Sequence, residues 1–280
     1  MTNQVGRRAL AGAAALLPAA AIVSSAQAQS SNESTFDRIR RTKVLRVAGL
    51  PGAMPYFDKD LVSGKYSGAC VDMANDIAKV FGADVTYLDS TYGNSVLDLQ
   101  SNKIDLAFAL NPTPQRALSI GFAHAAIIHP FGCLAPNLNP TTWDDLNKPN
   151  IRVVFDIGSL HETCARRYCP KAQLTGYATT DQCILALQSG HADAQILAAI
   201  LGLAAVGKNA SLGPYHLLSD PTVALPSCLG IQWEPDSRFE AVLNAWIDYN
   251  RGTGQIREWL LNALMKFGVK RDQVPQTLSF

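Results

Sequence analysis

The chain has 280 residues, with 24 Lys and Arg against 23 Asp and Glu and a formal charge of +1, and 48% of its residues are hydrophobic. A balance so close to neutral excludes the basic surface that nucleic acid requires, and so much apolar side chain excludes a disordered segment. The length accommodates one large domain or two lobes of ordinary size.

The first residues read as an export signal. Arg7 and Arg8 precede an apolar stretch from Ala9 to Val23, and Ala26-Gln27-Ala28 is a small-residue cleavage site, which together define a signal peptide over residues 1–28. The stretch of about 15 residues is shorter than the roughly 20 that span a bilayer as a helix. The paired arginines match a twin-arginine signal in part, so that route and the general secretory route both stay open. No cysteine stands at the cleavage site to take a lipid, and the expectation is a free periplasmic protein. That compartment lets cysteines pair. Of Cys70, Cys133, Cys164, Cys169, Cys183 and Cys228, the middle ones favour local pairing, with Cys169–Cys183 preferred.

After the signal, Val44 to Leu50 is a short apolar run bounded by Pro51 and Gly52 and predicts a buried strand. From Val71, apolar residues recur at Ala74, Ile77, Ala78 and Phe81 before Gly82, the spacing of one helix face with a glycine stop. A strand over 85–88, a short helix over 96–100 and a strand over 104–110 follow. This alternation implies a parallel sheet covered by helices. Cys133 to Ala135 and a polar linker over 136–145 then separate it from a second cycle. That cycle has a strand over 151–156, helices over 159–168 and 181–189, and a strand over 193–197. An extended segment over 227–233 precedes helices over 237–251 and 255–267. Two such units joined by extended segments imply a cleft. His124 and His129 fall in what reads as an apolar loop.

At this point the order of elements and several motifs resemble the periplasmic amino-acid-binding family (family 3) of ABC importers. The carriers are Val44-Leu45-Arg46-Val47, the segment Tyr66 to Asp72, Leu99 to Asp105, Thr113 to Ala117, Trp143 to Leu146, Gly158 to Glu162, and Leu187 to Ala194. The resemblance implies an α/β, two-lobed periplasmic-binding-protein fold (type II), each lobe a sheet flanked by helices. Lobe one would comprise 36–133 and 229–280, lobe two 134–228. Two hinge strands would then run near Cys133 and Cys228, which favours a disulfide between them; two buried free thiols are the alternative.

The resemblance also implies a ligand site. Arg116 falls on the family's carboxylate arginine, a role its planar guanidinium suits; the stretch from Asp105 to Arg116 is one residue shorter than is usual there. Ser159 and Glu162 are spaced as a capping box, and the same helix start, with Leu160 in place of a threonine, would face the ligand's carboxylate. Asn111, Tyr92 and Met54 complete the expected binding set. Groups that would hold an α-amino group correspond to Ala198, Asn111 and Ala109, and the first-strand acid and aromatic correspond to Leu50 and Ala53. A buried ammonium without a carboxylate costs several kcal/mol, so the expected ligand is a small carboxylate other than a standard α-amino acid.

No catalytic residue, metal or cofactor is expected. His161 and Cys164, with Cys169 or His191, are a weaker metal alternative, and a dehydratase-like enzyme on the same fold lacks its acid at Ala198. The expected partners are the ligand and ABC importer membrane subunits, with the chain a monomer. The remaining alternative is an accessory or sensor-partner protein without a transport ligand.

Overall fold

In the computed structural model, which describes residues 33–274, the alternating pattern becomes two α/β lobes threaded by two long strands. The signal peptide read over 1–28 lies outside the described residues. The first run comprises α1 (Thr35–Thr42), β1 (Val44–Gly49), a small hairpin of β2 (Asp58–Lys59) and β3 (Tyr66–Ser67), α2 (Ala69–Phe81), β4 (Asp84–Asp89), α3 (Asn94–Gln100), β5 (Leu106–Leu110) and α4 (Pro114–Ala117). The long β6 (Gly121–Leu134) carries the chain across to α5 (Trp143–Leu146), β7 (Arg152–Asp156), α6 (Leu160–Tyr168), β8 (Gln173–Tyr177), α7 (Thr180–Gln188), β9 (Ala194–Ala198), α8 (Ala199–Lys208) and β10 (Tyr215–Leu217). The chain returns along β11 (Ala224–Ile231) to α9 (Arg238–Gly252) and α10 (Gln255–Lys266). No helix of the described residues is long and apolar enough to cross a membrane.

The strand order β4-β1-β5-β11-β6-β9-β7-β8 explains the two lobes. The trio β4, β1 and β5 is parallel, as is β8, β7 and β9. Between them β6 and β11 run antiparallel, with Ala224 opposite Pro130 and Ile231 opposite Gly121. Beyond Pro130, β6 leaves β11 and pairs Phe131 to Leu134 with β9. The apolar face of α2 buries Met73, Ala74, Ile77 and Ala78, and Gly82 ends it in the left-handed region at φ 58°.

Each lobe repeats one polar clamp. Asp105, just before β5, accepts the backbone N–H of Arg46 at 2.7 Å and its Nη2 at 2.6 Å, while Arg46 Nη1 reaches the Asn102 carbonyl at 2.7 Å. Asp193, just before β9, accepts the N–H of Arg152 at 2.8 Å and its Nη2 at 2.6 Å, and Arg152 Nη1 reaches the Gly190 carbonyl at 2.6 Å. Asn102 and Gly190 both have positive φ, and Ser101 and Ser189 each donate to the carbonyl four residues back at 2.7 Å. The segments Leu99 to Asp105 and Leu187 to Asp193 are therefore one helix–turn–strand device used twice.

Several expectations are corrected. All six cysteines are free and buried. Although β6 and β11 are adjacent, Cys228 lies opposite Ala125 and Cys133 opposite Ile196 and His216. Eight residues along a strand separate the thiols by on the order of 25 Å, far beyond bonding distance. Cys169 also stays apart from Cys183: α6 returns Cys169 to the Trp143 carbonyl, at 3.8 Å, whereas Cys183 faces Asp156 Oδ1, at 3.6 Å. His124 and His129 stand on β6, and the linker over 136–145 contains the start of α5, capped by Thr142 and Asp145.

The Asp105 carboxylate is fully buried and also pairs with Arg38, so its loss removes a shared counter-charge from two cations. Asp105→Ala is expected to cost about 3–5 kcal/mol, read as a lower urea midpoint. Asp193→Ala should cost less, because its partner Arg152 is 41% exposed.

Candidate functional site

The clamps set where β5, β7 and β9 end, and those ends meet at one small chamber between the lobes. From lobe one it is lined by Tyr56, Tyr92, Ala109, Asn111, Arg116 and His129; from lobe two, by Ser159, Leu160, His161, Ala198 and Leu201. The cavity is about 10 Å³, room for about one water. Arg116, Ser159 and Leu160 also line an outer groove of about 670 Å³, which continues over Thr113, Gln115, Glu162 and the basic side of α6 at Arg166 and Arg167.

Arg116 rides on α4, whose start is fixed by Thr113: its hydroxyl accepts the Arg116 N–H at 3.1 Å. The guanidinium spans the cleft, Nη1 donating to the Asn111 carbonyl at 2.9 Å and Nη2 to the Gly158 carbonyl at 2.6 Å. No ion pair of the described residues includes Arg116. Burial pulls its pKa below the usual arginine value, the direction expected of a cation taken from water without a counter-ion.

At the start of α6, Ser159 Oγ accepts the N–H groups of His161 at 3.0 Å and Glu162 at 3.4 Å. Glu162 Oε2 reaches back one residue further than a capping box, to the Gly158 N–H at 2.8 Å. The side-chain cap thus takes two N–H groups that the resemblance would aim at a ligand.

Behind this turn, His161 Nδ1 lies 2.9 Å from Asp156 Oδ2, and the Ala198 N–H donates to Nε2 at 3.3 Å. An Nε2 that accepts places a proton on Nδ1, donated to Asp156, and both ring nitrogens are engaged. Asp156 also accepts from Thr180 Oγ1 at 3.0 Å. Thus His161 presents ring edges to the chamber, stacking edgewise against Tyr92 at 5.9 Å and lying against Phe131 at 5.7 Å. No group of three or more His, Cys, Asp or Glu among the described residues is arranged to hold a metal.

On lobe one, Tyr56 Oη and His129 Nδ1 are 3.3 Å apart. Burial raises the Tyr56 and Tyr92 hydroxyls well above their usual pKa, keeping both protonated. Ala109 holds φ 58° inside β5, a costly left-handed conformation for a residue with a Cβ.

Of the residues expected from sequence, Tyr92, Asn111, Arg116, Ser159 and Leu160 come together here, with Ala109 and Ala198 on the same wall. Met54 does not line the chamber; it is buried and its Sδ receives Lys208 Nζ at 3.4 Å. Sequence reasoning missed Tyr56, Leu201 and the placing of His129, because none lies in a motif and the strand bearing His129 has no clean alternation.

The lobes approach through glycine. A Cβ on Gly158, at φ 74°, would lie 2.7 Å from the Gly93 Cα, and one on Gly52 would lie 2.3 Å from the Asp181 carboxylate.

A two-lobed structure that closes on a chamber at its strand ends is the architecture of periplasmic binding proteins. Residues 45–261 match the profile of bacterial extracellular solute-binding proteins, family 3, and the chain belongs to that family. It is 26% identical over 185 residues to a cyclohexadienyl dehydratase of Pseudomonas aeruginosa, covering 64% of this chain and 68% of that protein. It is 27% identical over 157 residues to a probable histidine-binding protein of Campylobacter jejuni, covering 55% of this chain and 59% of that one. Among solved structures, an ancestral amino-acid-binding protein described as a precursor of cyclohexadienyl dehydratase superposes with TM-score 0.73 at 24% identity, over 85% of this chain and all of that one. An amino acid ABC transporter substrate-binding protein from Streptococcus pneumoniae bound to L-arginine gives 0.75 at 23%, over 83% and 98%. The solute receptor for L-cysteine of Neisseria gonorrhoeae gives 0.76 at 21%, over 88% and 99%. These likenesses establish the fold.

Two measurements probe this geometry. Burial holds His129 at a pKa of about 3, against about 6.5 unfolded. Its neutral form therefore stabilises the fold fully above pH 6.5, and that share is lost as pH falls toward 3 and the unfolded chain binds the proton. Between about pH 7 and about pH 5.5, His129→Phe should lose about 1 kcal/mol less stability than wild type in urea titrations. Gly158→Ala should hold the lobes apart, seen as a larger radius of gyration in solution scattering. Gly93→Ala should not, since its Cβ meets nothing nearer than 3.6 Å.

Proposed function

We propose that this chain, exported to the periplasm with its signal peptide removed near Ala28, is a monomeric solute-binding protein that takes a small carboxylate between its lobes and delivers it to the membrane subunits of an ABC importer. One observation carries the reading: Arg116 is a cation in the cleft with two backbone carbonyls and no acid as partners. A ligand carboxylate supplies the missing charge through two parallel, charge-assisted bonds. Asn111 and Ser159 frame that end, and Tyr92 and Leu160 enclose the body.

The same inventory disfavours a standard α-amino acid. Ala109 and Ala198 contribute no polar side chain, and the Asp156 carboxylate behind His161 is already engaged by His161 and Thr180. An ammonium here has no counter-charge, which costs several kcal/mol. The side chains of the chamber also favour binding over the chemistry of the dehydratase relative: a general acid of ordinary strength needs a proton within reach of its substrate, both nitrogens of His161 are committed, and burial holds the Tyr56 and Tyr92 protons too tightly to be given up readily.

A bound carboxylate at about 100 times its Kd stabilises the protein by about 2.7 kcal/mol, a rise of several degrees in Tm. Arg116→Ala should abolish that rise for every carboxylate that produces it. A rise of the same size in the variant would rule Arg116 out as the anchor.

A further inference from the structure

The wall of the chamber holds one polar group that the carboxylate reading leaves unused. The hydroxyl of Tyr92 is buried, in a residue only 8% exposed, and has no hydrogen-bond partner among the described residues. Buried hydroxyls are rarely left so. Its neighbours on the wall do not compete for it: Tyr56 Oη faces His129 Nδ1, and the Asp156 oxygens take His161, Thr180 and Cys183. The ring of Tyr92 is fixed edgewise on His161, so the hydroxyl is presented by a rigid support.

We infer that the ligand carries, besides its carboxylate, a neutral oxygen in place of an ammonium, and that the Tyr92 hydroxyl donates to it: the ligand is a small hydroxy or oxo carboxylate. The inference rests on Arg116 as the carboxylate anchor and adds the second point of recognition. Charge decides between the two heteroatoms. Arg116 is the one cation lining the chamber, and the Asp156 carboxylate behind the chamber wall is engaged by His161, Thr180 and Cys183, so an anionic ligand balances the arginine, whereas the ammonium of a zwitterion would find no free carboxylate. A phenol donates readily to an alcohol or carbonyl oxygen; to an ammonium it offers one neutral acceptor oxygen and no counter-charge.

The test is a matched series that differs only at the carbon beside the carboxylate: propanoate, lactate and alanine, and the same three with a phenyl group, titrated calorimetrically into wild type, Tyr92→Phe and Arg116→Ala. Lactate or phenyllactate should bind wild type about tenfold more tightly than its deoxy partner, and the amino acid most weakly. In Tyr92→Phe that ratio should fall to about one, while the unliganded variant melts no lower than wild type, since only an unpartnered oxygen is removed. A ratio unchanged in Tyr92→Phe would overturn the inference, the hydroxyl then serving a single trapped water; so would tightest binding by the amino acid. If binding in the series is lost in Arg116→Ala but insensitive to Tyr92, the anchor stands and only this inference fails. If nothing in the series binds wild type, or Arg116→Ala binds equally well, both fail.

Discussion

The arginine–aspartate clamp on which each lobe is built fixes the whole arrangement. In Arg46–Asp105 and Arg152–Asp193 one carboxylate takes a backbone N–H and a guanidinium from the same residue of the first strand. The guanidinium in turn holds the turn that ends the preceding helix. Strand, helix end and next strand are thereby locked in register by charge-assisted bonds. With the strand starts pinned at the outer edge, the strand ends that carry Ala109, Asn111, Asp156 and Ala198 arrive together at the cleft. The buried version in lobe one, where Arg38 joins, is the more consequential, because a carboxylate shielded from water needs all of its partners.

At the cleft the electrostatics are reversed. The clamps give each of their carboxylates a guanidinium partner, while Arg116 is left with carbonyl dipoles alone. Around it, burial keeps His129 uncharged and the two tyrosines protonated, and the Asp156 carboxylate is engaged by His161 and Thr180. On the proposed reading, a chamber whose one lining cation lacks an acid partner selects by charge before it selects by shape.

Much of this was legible in the sequence, and the exceptions have physical causes. Helices with one apolar stripe and a glycine stop, such as α2, and the strands β1, β5, β7 and β9 are found within about two residues of where the periodicity puts them. The α8 segment Ala199–Lys208 is apolar on nearly every side, so no period marks it as a helix. The long β6 is interrupted by His124, Pro130 and Gly132, is paired along its edges by strands of both lobes and is buried over nearly all of its second half, which erases the alternation of a half-exposed strand; His129 was misplaced with it. Cysteine pairing depends on register, and a strand pair adjacent as expected still sets Cys133 and Cys228 far apart. Arg116, Asn111 and Leu160 were placed by the family resemblance, whereas the helix start at Ser159 carries a capping signature of its own. Tyr56 and Leu201 join the site only through the tertiary fold.

The closed cleft also determines how much Arg116 contributes to affinity. Its Nη2 already spans the lobes to the Gly158 carbonyl, so a ligand replaces existing bonds instead of filling a void. What it gains is the difference between a carboxylate and two carbonyls as partners of one guanidinium. That difference is large for an anion, which restores charge balance in a place of low dielectric, and small for a neutral ligand, which trades one dipole for another. On the proposed reading, the same bond between the lobes makes closure over an uncharged molecule unfavourable, and discrimination against neutral solutes follows from the arginine without any steric barrier.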